Sequence, residues 1–180
     1  MGCVYSKSFI AKIKNLNKDN QVDIECIKKG ISFAKYYHGS QIRKSGEPYY
    51  SHPIAVASMV ADYIFKEIPI IAALLHDTLE DTDLTLSEIE QEFSPRVAQI
   101  VDRLTRKIDP ATAKKMSAGE CLLKAQELGD IEVLLIKSCD RLHNLQTLSS
   151  LSLEKQQKIL KETNDYFFPV FFKFLSKNIV

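Results

Sequence analysis

Six consecutive residues, His76-Asp77-Thr78-Leu79-Glu80-Asp81, carry one imidazole and three carboxylates directly after the apolar run 70–75. If one helix covers 70–80, about 100° per residue places positions 76, 77, 80 and 81 within roughly 140° of one face. His76 then sits over Glu80 and Asp77 over Asp81, each at i, i+4. Three carboxylates beside one histidine at the end of a buried helix repel each other unless a cation sits among them. A solvated acidic helix end fits the same string, so this segment alone only suggests a site.

Two further clusters carry chemistry. In Lys137-Ser138-Cys139-Asp140-Arg141-Leu142-His143-Asn144, the residues Asp140, His143, Asn144 and Thr147 fall within roughly 100° of one helical face. The segment 131–136 before them is apolar apart from Glu132, so this is a polar stripe on a core helix. A buried hydrogen-bond network between helices is the competing reading. It suits His143 better than Asp140, because a lone buried carboxylate is costly without a cation. The third cluster, Arg43-Lys44-Ser45-Gly46-Glu47-Pro48-Tyr49-Tyr50-Ser51-His52-Pro53, joins two cations, hydroxyls and a flexible glycine. Those groups suit phosphate or base contacts. They also suit a solvated loop with Ser51 as a helix cap.

Combined, the clusters are more specific. His52, His76, Asp77 and Asp140 form a two-histidine, two-aspartate ligand set from three separate helices. Nitrogen and oxygen donors without thiolate suit manganese or iron(II), with zinc as a further option. The lack of cysteine in the set argues against a structural zinc site.

Helical periodicity dominates the elements that must position these residues, and strand-like alternation is weak throughout. Segment 21–37 reads as a helix with Ile24, Ile27, Ile31 and Phe33/Ala34 inside. Residues 41–51 form a polar loop. Pro53 opens a helix over 54–65 and Pro69 opens another over 70–80. Ser87 with Glu90 fits a capping box for a short helix over 88–93. Ser94-Pro95 starts a helix reaching about Arg106. A connector covers 109–119, and helices follow over 120–128, 131–148 and 153–168. The expected architecture is all-α: a basic extension over 1–20 and one helical domain over 21–176.

The 180 residues bound the rest. They suit one domain, with 45% hydrophobic and 26% charged residues, the balance of an ordinary globule. A net charge of +1 gives no general argument for nucleic acid. No apolar run approaches the ~20 residues of a membrane span. Cys3, Cys26, Cys121 and Cys139 are scattered without a C-x-x-C pair, so a reducing, cytoplasmic setting is expected. The start Met1-Gly2-Cys3-Val4-Tyr5-Ser6 fits a lipid-acceptor pattern, followed by lysines 7, 12, 14 and 18. So short a pattern is read as a chance match.

The blocks RKSGEPYYSHP, ALLHDTLEDTDLTLSEIE and KSCDRLHNLQTL resemble the hydrolase domain of the RelA/SpoT alarmone enzymes, within the HD phosphohydrolase superfamily. The resemblance covers about residues 22–168. It implies an all-helical HD fold with one manganese ion in a central cleft, held by His52, His76, Asp77 and Asp140. It implies Glu80 and Asp81 as the acidic pair for hydrolysis. It places Arg43, Lys44, Ser45, Asn144 and Thr147 around guanosine and ribose. The implied reaction removes the 3′-pyrophosphate of ppGpp or pppGpp, giving GDP or GTP. An HD phosphatase on another nucleotide such as NADPH is one alternative. A non-catalytic alarmone-binding regulator is another, which the complete acidic pair counts against. No nucleic-acid or membrane partner is implied.

Two stretches depart from the resemblance. The order His38-Gly39-Ser40-Gln41 shifts a glycine by one place and predicts an altered turn into Arg43. Segment 107–120 reads unlike its counterpart. No synthetase domain is expected after Pro169. Phe167, Phe168, Phe171, Phe172 and Phe174 are expected to pack on the protein's own helices, with any exposed remainder available for a homodimer.

Overall fold

The computed structural model describes residues 3–108 and 113–178, with side chains through Lys173. Gly2 of the lipid-acceptor pattern, residues 109–112 of the expected connector and the Phe174 side chain lie outside the described residues. All regular elements among the described residues are helical, as the all-α expectation requires. Isolated bridges join Ile42 to Pro48 and Ile108 to Lys115. No described helix is long and apolar enough to cross a membrane. The chain divides into two compact units, Met1–Thr105 and Arg106–Val180.

The first unit holds α1 (Val4–Leu16), α2 (Ile24–His38), α3 (Ser51–Tyr63), α4 (Glu67–Leu75), α5 (Thr78–Asp81), α6 (Leu86–Glu92) and α7 (Pro95–Leu104). Its centre is α4, which packs against α2, α3 and α7. Pro69 through Leu75 are all buried. A helix apolar on every side belongs in a core, and each of Ile70, Ile71, Leu74 and Leu75 contributes about 2 kcal/mol by burial. Gly30 of α2 lets the two backbones approach: a Cβ there would lie 3.0 Å from Leu74 Cδ1.

The helix expected over 70–80 does not run through. It ends at Leu75, and α5 begins at Thr78. Side chains take the carbonyls that the break exposes. Thr78 Oγ1 donates to the Leu75 carbonyl at 2.7 Å, and His76 Nδ1 lies 2.8 Å from the Ala73 carbonyl. Apolar spacing cannot reveal this, because the competition is between side-chain and main-chain hydrogen bonds.

Other boundaries shift for local reasons. Helix α6 is capped by Thr85 and Glu88 in a reciprocal box, not by Ser87 and Glu90. Helix α3 starts at Ser51, ahead of Pro53, and Ser51 Oγ is buried without a hydrogen-bond partner rather than capping. Ser94 caps α7 as expected, accepting from the Val97 N–H at 3.2 Å. Within the stretch 1–20, expected as an extension, Val4–Leu16 form α1, which buries Phe9 and Ile13 and packs on α2 and α3.

The second unit holds α8 (Ala118–Glu127), α9 (Ile131–Gln146), a short 3₁₀ turn at Leu148–Ser150, α10 (Leu153–Glu162), a π turn at Thr163–Phe167 and α11 (Phe168–Asn178). Ser117 and Glu120 form a capping box that starts α8 two residues before the expected Glu120. The helix continues past Pro169 because that residue falls in the first turn of α11, just after the π turn, where a missing N–H is tolerated. Leu122, Phe167 and Val170 form a buried cluster, with Ala118, Leu134 and Tyr166 against it. Gly119 makes this possible: a Cβ there would lie 2.4 Å from Tyr166 Cγ. The C-terminal aromatics do not pack as expected. Phe167 is buried, but Phe168, Phe171 and Phe172 are exposed.

Candidate metal centre

His52 is the second residue of α3, and its ring is buried against the C-terminal end of α4. His76 follows α4 directly and is 2% exposed. Their rings meet edge to face, 5.0 Å between centroids. Asp77 serves both: Oδ2 lies 3.5 Å from His52 Nε2 and Oδ1 lies 3.3 Å from His76 Nε2.

The hydrogen bond at Nδ1 decides what His76 can do. The Ala73 carbonyl can only accept, so Nδ1 carries the proton and Nε2 of the neutral ring is a lone pair. A lone pair facing a carboxylate oxygen at 3.3 Å is repulsive. A cation between them, or a second proton on the ring, removes the repulsion. Two buried imidazoles and a carboxylate are the donor types that bind a divalent ion. The carbonyl behind His76 is the outer support such a ligand commonly has. The residues therefore fit a metal.

Tyr49 ties this group to α5. Its hydroxyl is 3.0 Å from Asp77 Oδ2 and 3.0 Å from Asp81 Oδ2, so one hydrogen is shared between two carboxylates. Burial, followed by those two charges, pushes the phenol far above its ordinary value, so it remains a donor. The helical face expected to carry both Asp77 and Asp81 is interrupted before Thr78, and Tyr49 is what joins the two carboxylates. Glu80 stands beside Asp81 in α5, half-buried.

His38 stacks on Tyr49, 4.5 Å between centroids. Its Nδ1 meets Gln41 Oε1 at 3.0 Å, and Gln41 Nε2 donates to the Asp81 carbonyl at 2.9 Å. Burial holds the imidazole below its ordinary value, against the raising effect of Gln41. The shifted Gly39 takes φ +49° and ends α2, so the turn still delivers Gln41 to α5. Tyr49, His38 and Gln41 had no assigned role in the sequence reading. Tyr49's place three residues before His52, one turn away, was the available signal.

The basic loop stands ahead of α3. Arg43 is half-buried, and Lys44 and Ser45 are exposed. The Arg43 N–H donates to the Glu47 carbonyl at 2.8 Å, and Ser45 Oγ donates to Glu47 Oε2 at 3.2 Å. In the second unit Asp140, half-buried on α9, accepts from Asn144 Nδ2 at 2.7 Å, one turn along the expected polar stripe. Thr147 Oγ1 donates to the His143 carbonyl at 3.1 Å, which closes the end of that helix.

An HD-domain family model matches residues 30–170. A GTP pyrophosphokinase rsh of Brucella ovis is 42% identical over 149 residues, covering 80% of this chain and 20% of that protein. A guanosine-3′,5′-bis(diphosphate) 3′-pyrophosphohydrolase of Aquifex aeolicus is 43% identical over 148 residues, covering 81% of this chain and 21% of that one. The chain therefore spans about one fifth of the length of these curated relatives. A solved structure described as a metazoan ortholog of SpoT that hydrolyzes ppGpp and plays a role in starvation responses superposes with a TM-score of 0.65. It is 27% identical, and the match covers 78% of this chain and 84% of that one.

Proposed function

This chain belongs to the HD-domain family, and we propose that it is a metal-dependent hydrolase of the 3′-pyrophosphate of guanosine tetra- and pentaphosphate. The observation that carries the reading is the buried His52–His76 pair with Asp77 set against both Nε2 atoms. The names of the relatives supply the substrate class.

His52, His76 and Asp77 would hold the ion, with Asp140 as the fourth ligand and manganese as the metal. When bound there, a divalent ion lowers the pKa of a water and neutralises a phosphate oxygen. The chain's own residues do the rest. Asp81 or Glu80 accepts the proton of the attacking water, directly or through a second water. Tyr49 fixes Asp81 relative to Asp77, so the proton acceptor and the ion site keep one geometry. The Arg43 guanidinium stacks on guanine while Lys44 and Ser45 meet phosphate. Asn144 and Thr147 face the ribose in this reading.

The test is direct. Purified protein with Mn²⁺ and ppGpp should release GDP and pyrophosphate, and EDTA should stop it. Nucleotide binding without turnover in Mn²⁺ would leave an alarmone-binding regulator instead. Turnover of NADPH in place of ppGpp would move the substrate class.

A further inference from the structure

Glu47 is the tie-point of the basic loop. Its two carboxylate oxygens accept from different elements: Oε1 from the Tyr5 hydroxyl at 2.7 Å, and Oε2 from Ser45 Oγ at 3.2 Å. Its carbonyl takes the Arg43 N–H at 2.8 Å. The Gly46 N–H returns to the Arg43 carbonyl at 2.9 Å, and Gly46 itself takes φ +88°, which glycine adopts without strain. The turn that presents Arg43, Lys44 and Ser45 is thus closed by two main-chain bonds and by Ser45 on the Glu47 side chain, and that side chain is held from α1.

Helix α1 is a fixed support. Phe9 and Ile13 are buried. Lys12 Nζ donates to the Ser58 carbonyl at 2.7 Å, to Ser58 Oγ at 3.0 Å and to Asp62 Oδ2 at 2.7 Å, clamping α1 along α3. Tyr50 is held from the same end of α1, by a side-chain hydrogen bond with Cys3. The Lys35 ammonium lies 5.3 Å from its ring.

We propose that Tyr5 is a positioning residue for nucleotide binding: by holding Glu47 from the clamped first turn of α1, it sets the Arg43–Ser45 turn in its binding geometry. This rests on the reading above that places those three residues against the nucleotide. Helix α1 is then a support of the substrate site and not an accessory extension. The hydroxyl acts on substrate affinity, because it touches neither the histidine pair nor the acidic pair.

Tyr5→Phe removes only that hydroxyl. The expected result is a KM for ppGpp raised about fivefold, less than the full worth of a hydrogen bond to a charged group because this one is half-exposed and acts only through the turn. The kcat and the Mn²⁺ concentration for half-maximal activity should stay within about twofold of wild type, since uniform binding alone is lost. Glu47→Ala should raise KM further, and Tyr5→Phe added to it should change nothing, because the two residues act through one bond. Tyr63→Phe, at an exposed tyrosine of α3, is the control. A folded Tyr5→Phe protein with wild-type KM overturns the proposal, as do additive effects with Glu47→Ala or a loss confined to kcat. Wild-type turnover tests the proposed function separately. If the wild type binds ppGpp without turnover, the same comparison is read on nucleotide affinity by calorimetry.

Discussion

Each unit holds a half-buried carboxylate among cations or rings, and the two are resolved differently. In the second unit Glu162 is closed by the protein itself. It pairs with the Arg141 guanidinium and accepts from the Gly119 N–H at 3.1 Å. Arg141 also donates to the Ile159 carbonyl and stacks on Phe167, 4.3 Å from the ring centre. In the first unit Asp77 faces two imidazole nitrogens, and the nitrogen of His76 has its proton on the opposite side of the ring. One cluster pairs its carboxylate with a guanidinium. The other sets a carboxylate against imidazole nitrogens, donor types that suit a divalent ion. Burial of ionisable groups is common to both, so burial alone does not mark a site; the chemistry of the facing atom does.

The strongest way to break this comparison is to remove one histidine. His76→Ala should lower turnover at least about a thousandfold, because the ligand and the geometry of the ion go together. Metal binding measured by calorimetry should fall with it, while unfolding in EDTA should change much less than activity. A mutant that still hydrolyses ppGpp at the wild-type rate removes the metal assignment. Glu162→Ala should do the reverse. Stranding the Arg141 charge should cost roughly 3 kcal/mol of stability, read as a urea midpoint shift. Mn²⁺ affinity should hold in whatever fraction remains folded.

Acid should expose the same pair. Burial raises the Glu162 carboxyl, but the Gly119 N–H and Arg141 outweigh it, and the group ends below its ordinary value of 4.5. A depressed carboxyl stabilises the fold above the unfolded value, and that stability is lost as pH falls through the folded one. The advantage of wild type over Glu162→Ala should therefore be flat from pH 7 to 5 and shrink below about 4.5, as seen in urea midpoints.

Much of this was legible in the chain. The apolar run ending in His76-Asp77 reads directly as a core helix delivering polar groups, and α4 does that. His52 stood out as a member of a long block, and the structure sets it against His76; Asp140, a proposed ligand, was singled out by its block and its residue type alone. What was not legible depends on distance or on competition. Arg141 and Glu162 lie 21 residues apart, beyond any helical period, so their pairing leaves no local trace. The break after Leu75 turns on which group wins a carbonyl. Thr85-Glu88 and Ser87-Glu90 both satisfy the capping pattern, and only packing selects the first. Helix α1 buries just Phe9 and Ile13 in a lysine-rich stretch, too little to show as a stripe.

Tyr49 separates the two kinds of cluster more finely. Tyr49→Phe keeps the ring that stacks on His38 but removes the hydrogen shared by Asp77 and Asp81. If those carboxylates serve an ion and a proton transfer, the loss should be about 10- to 100-fold in kcat or metal affinity, as for other outer-shell partners of a metal. The thermal midpoint should move little. If the cluster were merely structural, like that around Glu162, stability would fall and the metal response would not.

His38 gives the smallest effect and the sharpest sign. Burial lowers its imidazole below the ordinary 6.5, so the folded protein favours the neutral ring while the unfolded chain takes up a proton first. The resulting stability is present above pH 6.5 and is lost as pH falls toward the folded value. His38→Gln, measured in EDTA, removes the titrating group but keeps a polar side chain. The difference in urea midpoint between wild type and His38→Gln should shift against wild type as pH drops from about 7.5 to 5.5. A difference that moves the other way would mean that the Asp77 and Asp81 carboxylates near this ring outweigh its burial. The first unit would then be supplying positive charge to its own cluster, as the second unit does with Arg141.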